Sequence, residues 1–235
     1  GIGRAAALHL AKEGAQLALI GRRLEPLQEL AREIKEIGGS AIALSCDITN
    51  TKSLSIATNR ITDQFGGIHG LFANAGILGE FKPLSETGLE DFDSLIDINI
   101  KGTFLTIKHC LPLLETGAIV INASWTANSV MPGTGAYAAT KGALLSMMKT
   151  LAVEQGQYGI RVNAINPGVI LTPMAEKALD SDVSRKLAEH TALKRNGVPE
   201  DISGTVAWLL SEDSAFVTGQ EITVDGGYTI GGVRL

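Results

Sequence analysis

The chain alternates short apolar runs with longer amphipathic segments along its length. The short runs are rich in β-branched residues, which is typical of strands buried on both faces of a sheet. The longer segments place leucine, isoleucine and alanine at helical spacing, with charged residues between them. Predicted strands cover about Ala15–Gly21, Ser40–Cys46, Ile68–Ala73, Gly117–Ala123, Arg161–Ile165 and Glu221–Val224. Predicted helices cover about Gly3–Lys12, Leu24–Ile37, Thr51–Phe65, Leu89–Leu111, the segment around Tyr137, and Pro199–Leu210, with a polar, helix-prone insertion over Thr172–His190.

Strands separated by helices of this length imply right-handed crossover connections and a parallel sheet. The predicted fold is therefore α/β: a doubly wound Rossmann-type parallel sheet in a three-layer α/β/α sandwich. The 235 residues contain no linker rich in proline, glycine or serine, so we predict one domain over residues 1–235.

Composition excludes several classes of protein. The net charge is −5 and the basic residues are scattered, which argues against a nucleic-acid partner. No apolar stretch approaches the ~20 residues of a membrane span, so no membrane partner is expected. The histidines are isolated, and Cys46 and Cys110 lack the spacing of metal ligands, so we expect no metal. Two unpaired cysteines suit a reducing, cytoplasmic compartment.

Three residues carry the candidate chemistry. Tyr137 and Lys141 are four residues apart on a predicted helix and therefore share one face. A lysine ammonium beside a phenol favours the phenolate, so we expect Lys141 to lower the pKa of Tyr137 and make it a general acid/base. Ser124 follows a buried strand, at the edge where open α/β sheets bind ligands. The pair alone is also compatible with a half-buried tyrosine beside a solvated lysine.

These residues belong to a longer series of motifs. In chain order the motifs are Gly1-x-Gly3, Asp47, Asn74-Ala75-Gly76, Asn99, Ser124, Tyr137-x-x-x-Lys141, Pro167-Gly168 followed by Thr172, Gly197-x-Pro199-Glu200-Asp201, and Val224-Asp225-Gly226-Gly227. With this series the chain resembles the short-chain dehydrogenase/reductase family over nearly all of its length.

The resemblance implies an oxidoreductase that moves a hydride between a nicotinamide dinucleotide and a carbonyl or secondary alcohol. Ser124 would polarise the substrate oxygen and Tyr137 would exchange a proton with it. Lys141 would hold the nicotinamide ribose, and the backbone carbonyl of Asn99 would hold a water near the lysine. Asn99 alone could equally be a cap or a buried polar contact.

The resemblance also implies the cofactor-binding residues. These are Gly1, Ile2, Gly3, Arg22, Arg23, Asp47, Ile48, Asn74, Ala75, Gly76, Tyr137, Lys141, Pro167, Gly168, Val169 and Thr172. Within this set Asp47 would accept a hydrogen bond from the adenine amino group, and Thr172 would bond the carboxamide. Asn74-Ala75-Gly76 and Pro167-Gly168 could alternatively be ordinary turns at strand ends.

The end of the second family strand indicates which dinucleotide is used. An acid at this place bonds the ribose 2′-hydroxyl of NAD, whereas an arginine accommodates the 2′-phosphate of NADP. Here Gly21 takes the place of the acid and Arg22 and Arg23 follow it. We therefore predict that NADP(H) is preferred over NAD(H), although the two arginines could also be a solvated surface pair.

The family's phosphate-binding fingerprint, Thr-Gly-x-x-x-Gly-x-Gly, is matched here only from its second glycine, Gly1. The strand that precedes this fingerprint in the family is missing from the sequence, and its absence would leave unpaired ladder groups. We expect further residues at the N-terminus of the natural protein; a truncated isoform with weak cofactor binding is the alternative.

Substrate selectivity is expected to come from the loop after Ser124 and from a lid over residues 173–196. The loop contributes Trp125, Asn128, Met131 and Pro132, and with Tyr137 these side chains suggest a partly apolar pocket. The predicted small-molecule partner is a carbonyl or alcohol substrate. The resemblance also implies a homotetramer, formed through the helices bearing Asn99 and Tyr137 and through the C-terminal segment. A redox-linked relative, such as an enoyl reductase or epimerase, and a catalytically silent dinucleotide-binding regulator or scaffold are the alternatives.

Overall fold

The computed structural model describes residues 1–230. The strands are β1 (Gln16–Gly21), β2 (Ser40–Ser45), β3 (Ile68–Ala73), β4 (Leu114–Asn122), β5 (Ile160–Pro167) and β6 (Glu221–Val224). The helices are α1 (Ile2–Lys12), α2 (Leu24–Glu36), α3 (Thr51–Phe65), α4 (Leu89–Leu95), α5 (Thr103–Cys110), α6 (Gly135–Gly156), α7 (Pro173–Ala178), α8 (Ser181–His190) and α9 (Pro199–Leu210). The last five residues of the predicted domain lie outside the described range.

All strand pairings in the described residues are parallel, and helices cover both faces, so the predicted three-layer α/β class is confirmed. The sheet is divided into two parts. β1 pairs with β2, and the other part has the order β3-β4-β5-β6. Within residues 1–230, β1 and β3 face one another across a cleft without a ladder between them.

Strand β4 is buried on both faces, which is why its sequence is an almost uninterrupted apolar run. Ile119 and Ile121 point into the core shared with α5 and α6, whereas Val120 points into the core shared with α9. All three are completely buried, because neighbouring residues of a strand face opposite sides of the sheet.

The segment predicted as one long helix, Leu89–Leu111, is interrupted. α4 continues into a π-helix over Ile96–Gly102, and only then does α5 begin. Apolar periodicity could not reveal this change, because a π turn adds a residue without removing the helix. The break places Asn99 in the π segment, where it is fully buried.

The other boundaries agree closely with the predictions. Asn50 caps α3 by accepting a hydrogen bond from the Ser53 backbone N–H at 3.0 Å, as an asparagine in this place is expected to do. β3, α9 and β6 begin and end at the predicted residues. The Thr172–His190 insertion forms the short helices α7 and α8. No helix of residues 1–230 combines the length and apolarity needed to cross a bilayer.

Candidate active site

The candidate site lies where β3, β4 and β5 end, at the carboxyl edge of the parallel sheet. A cleft of about 2040 Å³ opens there and continues between β1 and β3. All the predicted cofactor-binding residues line this cleft, and so do four of the residues predicted at the substrate end, Ser124, Trp125, Met131 and Tyr137. Asn128 and Pro132, which the sequence also placed there, do not line it. Among the predicted catalytic residues, Ser124, Tyr137 and Lys141 line it too, and Asn99 lies behind its wall, against Gly76.

Ser124 is held by the turn that follows it. Its backbone is extended, and its hydroxyl oxygen caps the 3-10 turn Trp125–Ala127 by accepting a hydrogen bond from the Thr126 N–H at 3.2 Å. The Thr126 hydroxyl donates to the same oxygen at 2.9 Å. The serine is therefore anchored on one side, while on the other it interacts with the Tyr137 phenol closely enough to lower the pKa of that group.

Tyr137 and Lys141 come from the first two turns of α6 and share one face of this helix, as predicted. The Lys141 Nζ lies 5.6 Å from the centre of the Tyr137 ring. Its hydrogen bond goes to the backbone carbonyl of Asn122 at 2.7 Å, at the end of β4. Lys141 is 4% exposed, so its charge is removed from water and is held between the helix and the sheet.

The predicted lowering of the Tyr137 pKa is wrong. Burial raises the pKa of Tyr137 to about 12, and the hydrogen bond with Ser124 only partly offsets this. Burial also lowers the pKa of Lys141 to about 8. Desolvation disfavours the charged form of both groups and outweighs the attraction between ammonium and phenolate. At neutral pH the phenol therefore holds its proton.

The side chain of Asn99 links the π-helix, the loop after β3 and α6 through hydrogen bonds. Its Oδ1 accepts from the Ile77 N–H at 2.8 Å, and its Nδ2 donates to the Ile77 carbonyl at 2.9 Å and to the Thr140 hydroxyl at 3.1 Å. It thus fixes the loop after β3 against α6, one residue before Lys141. A Cβ on Gly76 would lie 3.0 Å from the Asn99 Oδ1 and 3.6 Å from the Lys141 Nζ, so any side chain here would press on the Asn99 amide.

The start of α1 closes the other end of the site. A Cβ on Gly3 would lie 2.8 Å from the Asn74 Nδ2, so the helix approaches the β3 turn more closely than a side chain allows. A Cβ on Gly1 would contact the Thr172 side chain at 3.5 Å. The structure thus brings Gly1-x-Gly3, the Asn74 turn and Thr172 together. A helix N-terminus in this place favours a phosphate group.

Arg22 and Asp47 lie near each other at the outer end of the cleft. Arg22 and Arg23 are exposed. The pKa of Asp47 is lowered mainly by the hydrogen bonds that it accepts from the Thr49 N–H at 2.9 Å and the Thr49 hydroxyl at 2.8 Å, and to a smaller extent by the Arg22 charge. Ile48, the next residue, packs against Gly102 at the end of the π segment.

The segment after β5 forms the opposite wall. The Gly168 N–H donates to the Val224 carbonyl at 3.0 Å, and the Val169 carbonyl accepts from the Gly197 N–H at 2.9 Å. The Thr172 side chain caps α7 by accepting from the Ala175 N–H at 3.2 Å. Beyond α8, Arg195 and Asp201 form a bidentate ion pair at 2.6 and 2.8 Å.

The substrate end is partly apolar. Trp125 is buried and packs edge-to-face against Tyr228, with ring centres 4.7 Å apart. Met131 lines the cleft. Asn128 is engaged elsewhere: its Nδ2 donates to the Glu221 Oε2 at 2.6 Å.

Comparison with known proteins identifies the family. The family model described as enoyl-(acyl carrier protein) reductase matches residues 1–229. A levodione reductase from Leifsonia aquatica is 36% identical over 239 residues, which cover 97% of this chain and 90% of the reductase. The chain belongs to the short-chain dehydrogenase/reductase family.

Two further members of this family resemble the chain over nearly its whole length. A cyclohexanol dehydrogenase from Acinetobacter sp. (strain SE19) is 33% identical over 97% of this chain and 91% of that protein. The crystal structure of an NAD⁺-bound xylitol dehydrogenase superposes with a TM-score of 0.92 at 32% identity, covering 96% of this chain and 94% of the other. The relatives are thus oxidoreductases of small alcohols and ketones.

Several contributing residues of this family member did not follow from the sequence patterns. Thr126 bonds Ser124, Thr140 bonds Asn99, and Tyr228 packs on Trp125. The backbone carbonyl of Asn122 accepts the hydrogen bond from Lys141, and the Asn122 Nδ2 donates to the Asn74 Oδ1 at 2.9 Å. The sequence did contain a hint of each role. Asn122 is a polar residue at the end of an otherwise apolar strand, and Thr126 carries a hydroxyl two residues after Ser124.

The residues present fit a nicotinamide dinucleotide. The Asn122 Oδ1 is buried in the crevice without a hydrogen-bond partner in the described residues, between the Asn74 turn and Lys141. Buried polar atoms of this kind call for a partner, and dinucleotide hydroxyls and amides supply donors. The close approaches at Gly3 and Gly76 leave backbone, rather than side chains, facing the crevice.

Proposed function

We propose that the protein transfers a hydride between NADP(H) and the carbonyl or secondary alcohol group of a small molecule, with Tyr137 as general acid/base. The observation that carries this proposal is the meeting of Ser124, Tyr137 and Lys141 at the sheet edge, beside a glycine-lined crevice. When bound there, the dinucleotide would donate the hydride to the carbonyl carbon, or accept it in the reverse direction.

The chain's own residues would handle the oxygen and its proton. In the reductive direction Ser124 donates a hydrogen bond to the carbonyl oxygen, and the protonated Tyr137 phenol transfers its proton to that oxygen. The Lys141 ammonium, 5.6 Å from the tyrosine ring, stabilises the phenolate left behind. In the oxidative direction the phenolate removes the alcohol proton.

Gly1, Ile2 and Gly3 would hold the pyrophosphate, and Asn74, Ala75 and Gly76 would line the adenosine side. Asp47 and Ile48 would contact the adenine. Pro167, Gly168, Val169 and Thr172 would shape the nicotinamide pocket, with Lys141 on the ribose. The shared cleft of these residues supports this assignment.

We propose NADP(H) over NAD(H), because Arg22 and Arg23 are exposed at the end of β1 and Gly21 provides no carboxylate there. A guanidinium pairs with a 2′-phosphate, which a carboxylate would repel. NAD(H) is the alternative, because the related xylitol dehydrogenase structure contains NAD⁺. A higher kcat/KM with NADH than with NADPH would refute the NADP(H) assignment.

The reaction is tested by following oxidation of reduced nicotinamide with the full-length protein over cyclohexanone, cyclopentanone, a sugar ketone, a steroid ketone and a β-ketoacyl thioester. An enoyl thioester in the same panel tests the reaction that the family model's description names. We expect Tyr137→Phe to lower kcat by at least about 100-fold on the best ketone. Tyr158→Phe, at an exposed tyrosine on the same chain, is the matched control.

Turnover that survives Tyr137→Phe unchanged would contradict the mechanism. Binding of the dinucleotide without turnover on any member of the panel would favour the silent regulator instead.

We also propose a homotetramer in the cytoplasm. An apolar groove between α5 and α6, lined by Phe104, Leu111, Met147 and Leu151, supports pairing of these helices between copies. The free, buried cysteines Cys46 and Cys110 suit a reducing compartment. Light scattering tests the assembly: a monomer would refute it.

A further inference from the structure

Thr126 is buried, and its hydroxyl bonds one other side chain in the described structure, that of Ser124. Both residues are 6% exposed, so water does not compete freely for these groups. The turn Trp125–Ala127 places Thr126 two residues after Ser124, and the Thr126 backbone N–H reaches the same oxygen as its hydroxyl. The Ser124 oxygen therefore accepts two hydrogen bonds from a single residue.

A serine hydroxyl has two acceptor lone pairs and one proton to donate. The Thr126 N–H at 3.2 Å occupies one lone pair, and the Thr126 hydroxyl at 2.9 Å occupies the other. With both lone pairs used, the Ser124 oxygen can only donate on its remaining side. Ser124 and Tyr137 both line the cleft where a substrate oxygen would lie, so the remaining proton has the cleft and the phenol as its partners.

We propose that Thr126 is a positioning residue that makes Ser124 a dedicated hydrogen-bond donor to the substrate oxygen. This inference rests on the proposed function. A hydroxyl that is free to rotate must be reoriented when negative charge develops on the substrate oxygen, whereas a donor set in advance needs no reorientation. Donation into the serine oxygen also polarises the serine O–H, because consecutive hydrogen bonds strengthen one another.

Two variants separate the effect of the Thr126 hydroxyl from that of its side-chain shape, and a third serves as the control. Thr126→Val keeps the branched shape and the backbone N–H but removes the hydroxyl. Thr126→Ser keeps the hydroxyl and removes a methyl group. Thr58→Val is the matched control, because Thr58 is also buried but donates to the Leu54 carbonyl at 3.0 Å within α3, remote from the site.

We expect Thr126→Val to lower kcat for ketone reduction by roughly five- to tenfold, the effect of one net hydrogen bond. KM for NADPH should stay at the wild-type value, and the melting temperature should fall no further than in the control Thr58→Val, which also loses a buried hydroxyl. Thr126→Ser should restore kcat to within about twofold of the wild type. In the free enzyme, where no substrate oxygen takes the Ser124 proton, Ser124 can donate to the Tyr137 phenolate instead. The apparent pKa that kcat/KM for alcohol oxidation reports should therefore rise in Thr126→Val, because a weaker Ser124 donor stabilises that phenolate less.

A double-mutant cycle decides whether Thr126 acts through the serine. In a Ser124→Ala background, Thr126→Val should have no further effect on kcat. An equal loss in both backgrounds, or a loss in Thr126→Ser with full activity in Thr126→Val, would assign Thr126 to packing and overturn the inference. Wild-type turnover by Thr126→Val would overturn it as well.

A failure of the role proposed for Thr126 can be told apart from a failure of the proposed function. If Tyr137→Phe and Ser124→Ala leave ketone reduction intact, the proposed function fails. If both abolish turnover while Thr126→Val behaves as the wild type, only the role of Thr126 fails.

Discussion

The Lys141 ammonium lies 5.6 Å from the centre of the Tyr137 ring but donates its hydrogen bond to the Asn122 carbonyl, at 2.7 Å. The lysine is thus fixed by the sheet and acts on the tyrosine as a charge at short range. Since burial raises the pKa of Tyr137 to about 12 and lowers that of Lys141 to about 8, the resting pair at neutral pH is a neutral phenol beside an ammonium. This arrangement is prepared for proton donation, and hence for carbonyl reduction.

The pH dependence of reduction follows from Lys141. As the pH rises through about 8, Lys141 loses the charge that stabilises the developing phenolate. We expect kcat/KM for ketone reduction to be constant near neutrality and to decline above about pH 8. Steady-state rates from neutral pH to about pH 10 measure this. Lys141→Arg, whose guanidinium keeps its proton, should move the decline to higher pH; a wild-type profile that stays level would count against the assignment.

The buried charge of Lys141 should lower the free energy of unfolding at neutral pH. Its folded pKa of about 8 lies below the ordinary value of 10.5, so between these values the unfolded chain binds more protons and stability rises with pH. We expect Lys141→Met to raise the free energy of unfolding at pH 7 by on the order of 3 kcal/mol, with less than about 1 kcal/mol of this gain left at pH 10.

Thermal and denaturant unfolding of the two proteins at both pH values measures this gain. The control is Lys101→Met, since Lys101 is an exposed lysine paired with Asp97. An equal gain at both pH values, or a gain in Lys101→Met, would show that the buried charge is not the cause.

Asn99 is expected to matter chiefly for stability. Replacing it with leucine leaves the Ile77 N–H and carbonyl and the Thr140 hydroxyl without the partners they now have. We expect Asn99→Leu to lower the free energy of unfolding by about 2–4 kcal/mol. Asn50→Ala, which removes an exposed helix cap, should cost about 1 kcal/mol. Urea unfolding compares them, and equal losses would mean that the tie between the β3 loop and α6 is weak.

Arg22 is expected to set the dinucleotide preference. We expect Arg22→Ala to lower kcat/KM for NADPH by roughly tenfold, the loss of one charge-assisted pair, and to leave kcat/KM for NADH within about twofold. Arg32→Ala, at an exposed arginine in α2, is the control. Parallel losses with both cofactors would place Arg22 outside the 2′-phosphate site.

Local signals predicted much of the fold and the site. Apolar runs and capping residues located β3, α9 and β6 to the residue, and the spacing of Tyr137 and Lys141 correctly placed them on one face. The direction of the Tyr137 pKa was predicted wrongly, because the pattern supplies the nearby charge but not the extent of desolvation. Thr126 and Asn122 gained their roles from a turn and a strand end, whose hydrogen bonds depend on tertiary geometry.

The π-helix Ile96–Gly102 restricts how the chain can vary in length. A π turn holds one residue more than an α turn, and each residue of a regular α-helix is rotated by about 100° around the helix axis relative to the one before it. Deleting a residue here would swing the buried stripe of α5, including Ile107 and Cys110, toward solvent, while Asn99 lost its register with Ile77. This stretch should accept many single-residue replacements between its anchoring positions, yet no insertion or deletion.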